Sequence, residues 1–156
     1  MSAALKCIED HDEDQRLIAR ALEILARRHA RGEALTSPAA TQAFLRLHLA
    51  EQRFETFGII YLDAKHRVIA IEDLFTGTID AASVYPRVVA QRALEQNAAA
   101  LIAYHCHPSG DPTPSRADEV LTHRLKDALA LLDIRLLDHF VVSAEGAVSM
   151  AERGLL

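Results

Sequence analysis

The stretch "ALIAYHCHPSGDPTPSRAD", residues 100–118, decides the architecture. It begins as a short continuous apolar run that ends at His105, the pattern of a strand buried inside a sheet. Pro, Ser, Gly, Asp and Thr fill the next segment, which excludes regular structure there. Ser115 then opens a helix that runs to about Asp133. Beyond it, "IRLLDHFVVSA" (134–144) and "AVSM" (147–150) read as strands around the turn residues Glu145 and Gly146. Upstream, "ETFGIIYLD" (55–63) and "RVIAIEDLFTGT" (67–78) read as two antiparallel strands joined by the turn "AKH". Helical periodicity returns in "SVYPRVVAQRALEQNAAA" (83–100), with Pro86 near its start.

Two more helices precede these elements. "DQRLIARALEILARR" (14–28) sets Leu17, Ile18, Ala21, Leu22 and Leu25 on one stripe, and Gly32 ends it. "TSPAATQAFLRLHLAEQ" (36–52) starts with Ser37 as a cap and Pro38 at the first helical position. The order helix, helix, β, β, α, β, α, β, β predicts an α/β (α+β) fold: a mixed sheet flanked by helices, with a short helical N-terminal appendage.

Composition bounds the function. The 156 residues suit one domain, half apolar and a quarter charged, with no apolar run near the roughly 18 residues that cross a bilayer. The start, "MSAALKCIEDHDEDQ", is acidic where a secretory signal is basic, which predicts a cytoplasmic protein without a membrane partner. Cys7 and Cys106 are too few for a disulfide framework. A net charge of -5 argues against tight binding to a phosphate backbone. Arg16, Arg20, Arg27, Arg28 and Arg31 do cluster, but they follow Glu9, Asp10, Asp12, Glu13 and Asp14, the charge order that a helix dipole favours.

The chemistry concentrates in residues 105–118. Side chains two apart on a strand point the same way, so His105 and His107 present two imidazoles together. Catalytic zinc sites take three protein ligands and leave a position for water, and Asp118 is a reasonable third ligand if the proline-bounded loop folds back. Ser115 and Asp118 also fit a simpler reading, a helix cap with an acid in the first turn. Four carboxylates, Glu51, Glu55, Asp63 and Glu72, compete as a proton carrier.

"HCHPSGDPTPSRAD" reads His-x-His, seven residues, Ser, two residues, Asp, and resembles the JAMM motif of JAB/MPN-domain metalloproteins, which have a cytidine-deaminase-like fold. "ETFGIIYLDAKHRVI", "LFTGTID", "VYPRVVAQRAL", "LLDIRLLDHFVVS" and "ERGLL" resemble the RadC branch in order. The resemblance covers residues 36–156, leaving 1–35 as the helical appendage. That start is similar to compact RadC-like proteins without a helix-hairpin-helix region.

The resemblance implies one Zn2+ per chain on His105, His107 and Asp118, Ser115 as donor to an oxyanion or as the residue that orients the bound water, and Glu55 as general base. It also implies a zinc-dependent metallohydrolase, a peptidase or isopeptidase with a protein or peptide substrate, and RadC-like proteins carry a DNA-repair label. Its alternatives are a non-catalytic module that binds a protein partner or joins a DNA-processing complex, and, disfavoured by charge, direct nucleic-acid binding or nuclease action.

Cys106 stands where the RadC pattern usually has Asn, and strand alternation points its thiol away from the two histidines. Asp138 and His139 match the family's Asp-His pair and are read first as a hydrogen-bonded core pair, second as support for the ligands. Arg87 and Asn97 match family positions, with helix packing and capping as their simplest roles. His11, His29, His48, His66 and His123 are read as surface residues.

Overall fold

A computed structural model describes residues 13–24, 27, 37–77, 83–108 and 110–156. Cys7, Glu9, Asp10, His11, Asp12, Leu25, Arg28, His29, Arg31 and Gly32 lie outside the described residues. The elements are α1 (13–24), α2 (Pro38–His48), β1 (Thr56–Leu62), β2 (Val68–Thr76), α3 (Pro86–Glu95), β3 (Ala100–Cys106), α4 (Arg116–Ala130), β4 (Arg135–Val142) and β5 (Ala147–Ser149). They form one mixed sheet in the order β2-β1-β3-β4-β5, an α+β fold. Only β3 and β4 pair in parallel, joined across the sheet by α4, and the other neighbours are antiparallel.

Local chemistry accounts for the boundaries. The Ser37 hydroxyl accepts from the Ala40 N–H, with Pro38 in the first turn. Asn97 and Asp133 follow α3 and α4 at φ 52° and 57°, left-handed positions that short polar side chains tolerate. The β1–β2 turn closes on Asp63, whose carboxylate accepts from the Lys65 and Arg67 N–H groups and from the Arg67 guanidinium.

The sheet separates two cores. Phe57, Ile59, Tyr61, Leu101 and Ala103 face Val89 and Ala93 of α3 and Leu125 and Leu129 of α4. Ile60, Leu62, Ile102, Tyr104 and Cys106 face Phe44, Leu45 and Leu49 on the α2 side, with Leu22 of α1 against the same cluster. β1 and β3 are buried along their whole length, which explains their unbroken apolar sequence.

On the α2 side a polar trio ties helix to sheet. The fully buried Tyr104 donates its hydroxyl to Asp73 Oδ1 at 2.6 Å, and His48 Nε2 lies 3.1 Å from the same oxygen. Phe44 stacks on the His48 ring at 5.5 Å. His48 is thus an anchor of α2 and not the plain surface residue that its sequence context suggests. It lacks neighbours at ligand spacing in sequence because its partners arrive from β2 and β3.

Burial pushes the Asp73 carboxyl up, but hydrogen bonds from His48 and Tyr104 outweigh it and hold the group below its ordinary range. A carboxyl depressed in the folded state stabilises above its unfolded pKa of about 3.9, and that contribution disappears as pH falls through the folded value. Asp73→Asn is therefore expected to lower stability at neutral pH, with the deficit shrinking in acid. Urea unfolding at stepped pH checks this, and a deficit constant with pH removes ionisation from the account.

Candidate metal centre

His105 lies near the end of β3, 2 % exposed, on the α3/α4 face. The His107 N–H still donates to the Val142 carbonyl at 2.8 Å, so strand-like alternation carries past the end of β3. The two rings consequently share one side, their Nε2 atoms 2.9 Å apart. The following loop turns back at Gly110, where φ of 97° favours glycine, and brings the Asp111 carbonyl to 2.9 Å from His107 Nδ1. A carbonyl only accepts, so Nδ1 carries the proton and a neutral His107 turns a bare Nε2 toward His105.

Asp118 arrives from α4. Its Oδ2 accepts from both the N–H and the hydroxyl of Ser115 at 2.6 Å, and Ser115 Oγ accepts from the Asp118 N–H at 3.2 Å. This is a reciprocal capping box, so the simple reading of Ser115 and Asp118 holds. The same carboxylate also reaches the histidines, with Oδ1 at 3.2 Å from His105 Nε2 and Oδ2 at 3.6 Å from His107 Nε2. The cap orients the acid toward them.

His105, His107 and Asp118 could hold a metal ion, their ligand atoms lying within 4.8 Å of one another. Ligands about 2.0–2.1 Å from a tetrahedral ion stand roughly 3.3 Å apart. The two imidazole nitrogens stand 2.9 Å apart, and the carboxylate turns one oxygen toward each, Oδ1 at 3.2 Å from His105 and Oδ2 at 3.6 Å from His107, separations near that edge. The electrostatics agree in sign. Burial pushes the Asp118 carboxyl up, but the His105 and His107 rings, which donate to it when protonated, together with the Ser115 hydrogen bond, overwhelm it and hold the group far below the carboxylate range. The hydrogen bond that protonated His107 gains with Asp118 raises the imidazole. Both shifts favour positive charge between these side chains.

Of the four candidate carboxylates, three are engaged elsewhere. Asp63 closes the β1–β2 turn, Glu72 binds Arg92, Tyr61 and Gln96, and Glu51 accepts from Gln15. β1 and β3 pair with Phe57 opposite His105, and half-buried Glu55, two residues before Phe57, is near enough to His107 for its charge to help raise that imidazole.

Cys106 Sγ lies 3.3 Å from the Thr56 N–H and 3.2 Å from the Phe54 carbonyl, within the α2-side core. It points away from the triad, and burial raises its thiol pKa. Asp138 accepts from the His139 and Ala151 N–H groups and from the Ser149 hydroxyl, fastening the segment after β5 to β4. His139 is fully buried, with Nε2 at 2.8 Å from His105 Nδ1 and Nδ1 at 2.6 Å from Thr122 Oγ1. It is both a core histidine and a direct neighbour of a candidate ligand.

Sequence reading missed Thr122, although its place one turn after Asp118 on α4 put the two on one helix face. Asn97 caps α3, Arg87 and His123 are exposed, and His66 meets Arg135 at 2.9 Å. A groove of about 670 Å³ reaches His107 from the α2 side, passing Arg46, Leu47, Cys106 and Val142.

The family described as RadC-like JAB domain matches residues 35–155. A UPF0758 protein of Thioalkalivibrio sulfidiphilus is 59% identical over 137 residues, covering 85% of this chain and 61% of the relative. One from Halorhodospira halophila is 57% identical over 141 residues, covering 87% and 62%. The chain thus spans less than two thirds of the length of these two relatives. A UPF0758 protein of Vibrio cholerae is 51% identical over 144 residues, covering 92% of this chain and 91% of its own length.

Proposed function

Because the chain belongs to the RadC-like JAB domain family, we propose that it is a zinc-dependent hydrolase that cleaves a peptide or isopeptide bond in a protein or peptide substrate. The observation that carries this reading is the convergence of His105, His107 and Asp118, three uncharged-nitrogen or carboxylate donors from a strand end and a helix start. Zinc held there supplies a Lewis acid that polarises a carbonyl and acidifies water.

The chain's own groups do the rest. Glu55, whose charge acts on His107, takes the proton of the attacking water and delivers it to the leaving nitrogen. Ser115 orients Asp118 through two hydrogen bonds, and its hydroxyl would serve a developing oxyanion by turning its one proton away from Asp118 Oδ2.

Metal analysis of purified protein tests the reading. Wild type is expected to hold one zinc per chain, and His105→Ala and His107→Ala to lose stoichiometric zinc while remaining folded. Cys106→Ala should keep it, because the thiol faces the other core. Undiminished zinc in both histidine variants would remove the ligand assignment and the mechanism with it.

A further inference from the structure

We infer that Thr122 and His139 form a directional hydrogen-bond relay that fixes the tautomer of His105, keeping its Nε2 bare for a ligand. The inference deepens the metal reading and rests on it only for its purpose. The direction follows from donor and acceptor inventory alone.

Thr122 is fully buried, and its Oγ1 lies 2.6 Å from the Asp118 carbonyl oxygen. That oxygen can only accept, so the single hydroxyl proton points to it. Met150 Sδ, at 3.5 Å, is a weak competitor. Thr122 Oγ1 therefore offers a lone pair to His139 Nδ1 at 2.6 Å, and Nδ1 must carry the proton. The neutral His139 ring then has a bare Nε2, which faces His105 Nδ1 at 2.8 Å. His105 must donate from Nδ1, and its Nε2 is left without a proton where Asp118 and His107 converge.

Packing holds the His139 ring in place. Phe57 meets the His139 ring at 5.6 Å and 76°, and His139 is 0% exposed. An unconstrained neutral imidazole samples both tautomers, and the one protonated on Nε2 cannot ligate through that atom. The relay excludes that form. It also begins on the backbone of Asp118 itself, so one turn of α4 provides a ligand and, through Thr122, conditions another. Thr122 and His139 are positioning residues, since neither belongs to the converging ligand set.

The test compares wild type with Thr122→Val, which removes the hydroxyl at similar shape, and Thr122→Ser, which restores it. Long-range 1H–15N correlation spectra of metal-free, histidine-labelled protein, recorded where the imidazoles are neutral, report the tautomer directly. His105 is expected as the Nδ1–H form in wild type and Thr122→Ser, and as a mixture or the opposite form in Thr122→Val. Zinc affinity by competition with a chromophoric chelator is expected to fall about 10- to 100-fold in Thr122→Val and to recover in Thr122→Ser. An Nε2–H His105 in metal-free wild type overturns the relay, as does a Thr122→Val protein with unchanged tautomer and affinity. The expected tautomers without any zinc binding support the relay while overturning the metal reading, so the two fail separately.

Discussion

Glu55→Gln is expected to leave folding and zinc content at wild-type levels and to lower hydrolysis by about 10²- to 10⁴-fold. The main chain of Glu55 is held by its carbonyl, which accepts from the Gly77 N–H at 2.7 Å, and the substitution does not touch that bond. What changes is the single atom pair that can take a proton, since a neutral amide is no base. Asp118→Asn fails differently. It weakens the metal, because an amide oxygen is a poorer ligand than a carboxylate, and it weakens the start of α4, where Asp118 completes the capping box. Zinc analysis paired with turnover on a peptide and isopeptide panel separates the two variants. Equal turnover in Glu55→Gln and wild type would take Glu55 out of the mechanism. A zinc-loaded wild type inert across the panel would favour the non-catalytic module.

Gly58→Ala is expected to cost about 3 kcal/mol or more, the upper end of overpacking penalties. A Cβ at Gly58 would fall inside the Tyr104 ring, at Cζ, Oη and Cε2, closer than non-bonded atoms approach. The ring has nowhere to go. Tyr104 is 0% exposed, its hydroxyl is bound to Asp73, and His48 packs edge-on against it at 5.9 Å. Denaturant unfolding measures the loss, and a double-mutant cycle identifies its source. Tyr104→Phe keeps the clashing ring and should not relieve it. Tyr104→Leu, destabilising by itself, should make the added Gly58→Ala change nearly neutral. A Gly58→Ala protein as stable as wild type would show that the sheet shifts to admit the methyl group.

Most elements were legible because their signals are local. The apolar run to His105, the Ser37–Pro38 cap and the Ser115–Asp118 box each lie within a few residues, and each appears where the sequence puts it. The pairing of His105 with His107 follows from strand alternation in the same way. Contacts set by sheet register were not legible. Glu55 comes near His107 only once β1 pairs with β3, so sequence left it level with three other carboxylates. His139 reaches His105 across 34 residues because α4 returns the chain to a parallel neighbour. His48 looked like a surface residue for the same reason: Asp73 and Tyr104 come to it from two different strands.

Adjacent residues of β3 belong to opposite worlds: His105 to the polar end of one core, Cys106 to the hydrocarbon of the other. Side chains on a strand alternate with a period of two, so slipping β3 by one residue against β1 and β4 exchanges every face at once. The slipped sheet would drive two imidazoles into the layer built by Phe44, Leu45 and Leu49, leaving a lone thiol before Asp118. Such a layer offers a buried imidazole no hydrogen-bond partner equal to those it leaves. The residues that make the site therefore also proofread the assembly of the sheet, rejecting the misaligned chain before any substrate is met.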